Sequence, residues 1–203
     1  MTANDPRTRW KWKLPRADLV NNHDLYCTLV QGRTVLHIGC TDHMDLIDIK
    51  MSEHSFLHTK LSQCAKVVHG IDINREAINY LRTRYGLTNV YYGDIAQGPV
   101  PDALLPSYDI ILIPEVIEHV PDLGTLLRSA TRFMSPESLL VVGTPNAFKL
   151  HNMFALLAGY EEVNPDHKYW FTYATLKSLL RDLGFAIDKW YIYIYGNPNR
   201  KFP

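Results

Sequence analysis

The chain has 203 residues, 46% of them hydrophobic and 21% charged, with 21 basic residues balanced by 21 acidic ones. That length suits one domain with a sizeable core rather than two. The charge balance excludes a global electrostatic drive toward nucleic acid or an anionic membrane.

The start, MTANDPRTRWKWKLPR, lacks the apolar stretch of a secretory signal. No run approaches the roughly 18 apolar residues of a membrane span. Cys27, Cys40 and Cys64 have no metal-type spacing and read as free thiols in a reducing cytoplasm. Arg7, Arg9, Lys11, Lys13 and Arg16 surround Trp10 and Trp12. This is either a phosphate-binding arm or, the favoured reading, a solvated arm whose tryptophans pack on the domain. RADLVNNHDLYCTLVQG has helical spacing and stops at Gly32.

Strands and helices then alternate. Residues 34–38 form a short apolar strand, residues 45–65 are mostly helical, and residues 66–71 are strand again. In the helical stretch His54 and His58 are four apart, the spacing of a two-histidine metal site, but there is no HExxH and packing is the expectation. Asn74 caps a helix that Gly86 ends. Strands follow at 89–92, 109–113 and 139–143, with a helix over 122–134. Residues 172–183 are an amphipathic helix, and residues 185–195 a long last strand with alternating tyrosines. Short, continuously apolar strands separated by helices predict an α/β fold, a doubly wound parallel sheet covered on both faces. Alternation fails over residues 145–171, an insertion at a strand's carboxyl end, where ligands bind in such sheets.

Chemistry-bearing residues recur at those strand ends. VLHIGCTDH offers Gly39, where a missing Cβ admits close backbone approach to a ligand. GIDIN places Asp72 where a carboxylate accepts two ribose hydroxyls, and YYGDI sets Asp94 to accept from an amino group. YDIILIPEVIEHV brings a carboxylate and histidine cluster to the same rim. Each is weak alone; four in order, one βα unit apart, are not.

Together these segments resemble a class I S-adenosylmethionine-dependent methyltransferase over residues 33–195. The chain is most similar to the ubiquinone-biosynthesis-type and small-molecule or glycan O-methyltransferases. The resemblance implies a Rossmann-like sheet with an N-terminal arm and helix over residues 1–32 and the methyltransferase domain over 33–203. It implies cofactor contacts from His37, Gly39, Asp72, Ile73, Asp94, Ile95 and Pro114. In the first loop His37 replaces an acid, and Thr41 and His43 replace glycines, so positive φ there is costly. Asp42 and Asp45 are nearby acids that could substitute for it. A seventh, antiparallel strand is not found; either the chain is shortened or a partner covers the edge, which argues for a homodimer.

Methyl transfer to a hydroxyl is helped by a base. Glu115, Glu118 and His119 fall at i, i+3 and i+4, which on a helical turn is one face. His119 is the first candidate base with Glu115 or Glu118 orienting it, and His167 in the insertion is the second. The trio Glu115, Glu118 and His119 is an option for a divalent metal. The expectation is therefore a cytoplasmic O-methyltransferase of a small-molecule acceptor. The alternatives are an N-methyltransferase or a catalytically silent domain of the same fold; a GxGxxG dinucleotide loop is missing, and a nucleic-acid partner is not expected.

Overall fold

A computed structural model describes residues 13–14 and 19–194 of the chain. Apart from Lys13, the basic and aromatic arm lies outside the described residues, as does the GNPNRKFP tail. Strand β1 (Leu19–Asn21) leads directly into helix α1 (Asn22–Val30). The helix expected from residue 16 onward starts later because Asn21 is extended, at φ −74 and ψ 134. Its side chain accepts from the N–H groups of His23 and Asp24, the geometry of an N-cap.

Next come β2 (Thr34–Ile38), α2 (Met44–Ser52), α3 (Leu57–Cys64), β3 (Val67–Asp72), α4 (Arg75–Tyr85) and β4 (Val90–Tyr92). Helices α2 and α3 are separate because the chain turns between them, with His54 at φ 54. His54 and His58 therefore share no helix face. Asn74 caps α4 and Gly86 ends it at φ 68, as expected. The chain continues through β5 (Tyr108–Pro114), α5 (Leu123–Ala130), a 3-10 turn (Thr131–Phe133) and β6 (Met134–Gly143). The last elements are α6 (Leu150–Leu157), α7 (Tyr173–Asp182) and β7 (Ile192–Ile194).

Five parallel strands lie in the order β4-β3-β2-β5-β6. Alternate residues of β5 serve opposite faces. Ile111 and Ile113 join Leu126 of α5 and Leu176 of α7, while Ile110 and Leu112 join Tyr26 and Val30 of α1 and Leu61 of α3. A sheet buried on both sides needs such unbroken apolar strands. Each of these side chains, fully buried, contributes roughly 1.5–3 kcal/mol. The connection leaving β2 runs to β3 on one side and that leaving β5 runs to β6 on the other, so the crevice opens at the carboxyl ends of these two neighbours.

The expected long last strand does not form. Only residues 192–194 are strand, and they pair in parallel with β1 in a separate two-stranded sheet. Before them Phe185, Ile187 and Trp190 pack on the main core as extended chain without ladder partners. Residues 192–194 are thus paired within the chain rather than left as an open edge. Among the described residues no helix is long and apolar enough to cross a membrane.

A candidate active-site cleft at the strand ends

A cleft of about 910 Å³ opens at the carboxyl ends of β2, β3 and β5. Its walls include the cofactor candidates His37, Gly39, Asp72, Ile73, Asp94, Ile95 and Pro114 and the catalytic candidates Glu115, Glu118, His119 and His167. One surface therefore gathers residues spread over 130 positions of chain, from 37 to 167.

The loop after β2 is held by its neighbour β3. Gly39 has φ 74, and its N–H donates to Ile71 O at 2.9 Å. A Cβ at Gly39 would stand 2.2 Å from Val116 Cγ2, so both conformation and space demand glycine. Thr41 N–H donates to Asp72 Oδ2 at 3.0 Å and Asn74 N–H to Asp72 Oδ1 at 2.8 Å. Neither Thr41 nor His43 adopts positive φ, so the expected cost of losing glycine there does not arise. Asp42 is engaged in an ion pair with Lys50, and Asp45 does not reach the cleft.

At the β3 and β4 side, Ile73 is 70% exposed and lines the cleft. Ile95 is buried beside it in the cleft wall. Asp94 also holds its own turn, accepting from Ala96 N–H at 2.8 Å and Gln97 N–H at 3.2 Å. This side offers carboxylate acceptors around an apolar slot, a surface suited to a nucleoside.

The opposite side is ionisable. Residues 115–119 form a single turn rather than a helix, with Glu115 at φ 52. In this turn the Glu115 carboxyl accepts from Tyr193 OH. The Glu115 and Glu118 carboxyls also hydrogen-bond to each other. Burial, opposed by the Tyr193 bond and reinforced by neighbouring Glu118, pushes the Glu115 carboxyl up to about 8. Burial also raises Glu118. Glu118 Oε2 accepts from Thr144 Oγ1 at 3.1 Å, while its Oε1 is buried without a partner.

The backbone carbonyl of Glu118 accepts from Lys168 N–H at 2.7 Å, which fixes the insertion against this turn. The His167 ring consequently meets the His119 ring edge-on at 4.6 Å. Burial lowers the pKa of both imidazoles, partly offset at His119 by Asp166. His167 Nδ1 is a second buried atom without a partner. Glu118, His119 and His167 each present a ligand atom within 4.8 Å of the others, so the set able to hold a cation includes His167 and not Glu115. The same three groups can accept a proton from a bound hydroxyl.

Sequence reasoning missed Tyr193 and Tyr26 as site residues and expected His58 to serve packing. Tyr26, on α1, and His58, on α3, also line the cleft. Tyr193 lies 78 residues from its partner Glu115, and nothing local in the sequence announces the contact.

A family model described as methyltransferase domain matches residues 16–189. A probable S-adenosylmethionine-dependent methyltransferase of Mycolicibacterium smegmatis is 28% identical over 160 residues, 77% of this chain and 53% of that protein. A ubiquinone biosynthesis O-methyltransferase of Neisseria meningitidis is 25% identical, over 64% of this chain and 50% of its own length. N-methyltransferases occur among the relatives as well. The chain spans about half the length of the curated relatives it matches. A solved structure of a methyltransferase from Aquifex aeolicus superposes with a TM-score of 0.59 at 16% identity, covering 84% of this chain and 82% of that one.

Proposed function

The chain belongs to the methyltransferase-domain family, and from that premise we propose that it transfers a methyl group from S-adenosylmethionine to an oxygen of a small-molecule acceptor. One observation supports this most. The cleft has a nucleoside-like side at Asp72, Ile73 and Asp94 and a proton-accepting side at Glu118, His119 and His167.

The residues present fit the cofactor. Asp72 uses one lone pair of each oxygen on Thr41 and Asn74 and keeps others for ribose hydroxyls. Ile73 and Ile95 supply apolar walls for adenine, with Asp94 as acceptor for its amino group. Gly39, Pro114 and His37, which line the cleft nearer Glu115, would hold the methionine portion. Bound S-adenosylmethionine supplies an electrophilic methyl group on a sulfonium. The chain's own contribution is to hold the acceptor in line with it and take the acceptor's proton.

His119 is suited to that task because burial keeps its imidazole neutral near pH 7. His167 confines it, and Glu118 is the carboxylate that stabilises the imidazolium formed. Glu115, held by Tyr193, acts from behind Glu118 rather than on the substrate. Insertion 145–171 walls the acceptor side of the 33–203 unit, while α1, from the 1–32 segment, closes the cleft through Asn22, His23 and Tyr26.

A second reading has a specific observation in its favour. Glu118 Oε1 and His167 Nδ1 have no partner, and with His119 they fit a divalent cation that would acidify an acceptor hydroxyl. Transfer assays with isotopically labelled S-adenosylmethionine, run on matched hydroxyl and amine acceptors with and without chelator, test both readings. Label on the hydroxyl, unaffected by chelator, supports the first. Label on amines alone contradicts the oxygen assignment.

A further inference from the structure

The insertion after β6 carries a helix built inside out. Along α6 the large apolar residues Leu150, Met153, Phe154 and Leu157 recur at i, i+3, i+4 and i+7, one continuous face. Such a face normally turns toward a core, yet these four are 70%, 48%, 68% and 85% exposed. The least exposed residues of the helix are Asn152 and Ala155, so its inner face is the polar and small one. Phe148, Leu156 and Tyr160, also mostly exposed, widen the apolar face and extend it at both ends. At roughly 150–250 Å² for a large side chain, the seven present on the order of 800 Å² of apolar surface in one patch. The largest patch on a typical monomer is about 300–600 Å², and each partner in a stable complex gives about 800 Å².

Charge narrows what can cover this patch. Over residues 148–163 the ionisable groups are Lys149, His151, Tyr160, Glu161 and Glu162. His151 is bonded to Glu162, and Trp170 Nε1 donates to Glu161 Oε1 at 3.3 Å. A helix that lies on an anionic bilayer surrounds its apolar face with several Lys and Arg. One lysine beside two glutamates gives no such attraction, and a strongly charged protein finds no opposite charge. A second copy of the chain fits on both counts. About a two-fold axis the apolar stripe meets its own image, and the paired polar groups become the rim around an apolar centre.

We propose that this face is where two copies of the chain dock, α6 against α6 about a two-fold axis. The insertion returns to the body through Ala147 N–H to Phe171 O at 3.0 Å and Lys168 N–H to Glu118 O at 2.7 Å. Its cleft-lining residues are Pro145, Asn164, Asp166 and His167, none of them in α6, so docking face and cleft are separate. The second copy therefore braces the insertion that walls the acceptor side and leaves the cofactor side untouched.

Sedimentation velocity of the whole chain over a series of micromolar concentrations tests the proposal. The unaltered chain should reach twice the monomer mass as concentration rises. Leu157→Glu and Phe154→Glu each put a charge on an exposed position of the face. Each should weaken association roughly 30-fold or more, the scale of an interface hot spot, with far-UV circular dichroism unchanged. A monomer at every concentration overturns the proposal. So does a dimer that both variants leave intact, which would put the interface on another face. Flotation with phosphatidylcholine vesicles provides a further arm: a chain that floats as a monomer assigns the face to lipid and equally overturns it. Hydrogen exchange of the unaltered chain needs no variant. Amides of α6 should gain protection as concentration rises, and protection that ignores concentration contradicts the docking.

Discussion

The backbone N–H of Thr41 donates to Oδ2 of Asp72 at 3.0 Å, tying the loop after β2 to the end of β3. One carboxylate thus shapes the loop and faces the cleft. Asp72→Ala should weaken S-adenosylhomocysteine binding by roughly 1.5–3 kcal/mol through lost hydrogen bonds. Calorimetry checks this, and unchanged affinity would remove Asp72 from the ribose site.

Gly39→Ala combines positive φ with a Cβ 2.2 Å from Val116 Cγ2. The expected cost is about 1–3 kcal/mol of stability, with cofactor affinity falling too. Thermal melts of G39A and of G39A with Val116→Ala separate the two causes. Removing the valine methyl should recover part of the loss but not the strain of φ 74.

His119→Ala should lower turnover about 100-fold, the usual scale of a general base, with cofactor affinity nearly intact. His167→Ala should act in the same direction more weakly, because its ring confines His119 from the side. Single-turnover rates beside binding constants check both. Full turnover in H119A together with a deficient H167A would move the base to His167.

Glu115 gives a pH signature. Burial pushes its carboxyl up to about 8 in the fold, against about 4.5 for a glutamate in water. The folded chain therefore binds more protons than the unfolded one between those values. Stability contributed by this group is full below the lower value and declines as pH rises toward the upper. Glu115→Gln keeps an acceptor for Tyr193 and cannot ionise, so it should flatten this decline. At pH 8 its melting temperature should exceed that of the unaltered chain by about 2–4 °C for each kcal/mol recovered. An equally steep decline in the variant would assign the slope to another group.

What could be read in the sequence was what local signals carry. Gly39, Asp72 and Asp94 stand at the ends of short apolar strands, and strand order alone takes them to one cleft. The helical turn expected at Glu115 does not form, since Glu115 sits at φ 52, although its carboxyl still meets that of Glu118. The pairing of His37 with His58 spans 21 residues, and that of Glu115 with Tyr193 spans 78. Such contacts depend on how α3 and β7 pack, which no periodicity encodes. The last strand failed for a related reason. Alternating apolar residues at 185–190 can be buried against the core without any ladder.

The account depends on one cleft holding cofactor at one side and acceptor at the other. A crystal structure with S-adenosylhomocysteine bound tests this most directly. Ribose hydroxyls are expected on Asp72, adenine against Ile73, and the sulfur directed toward Glu118, His119 and His167. A nucleoside seated at the His119 side, or outside the cleft, would contradict it.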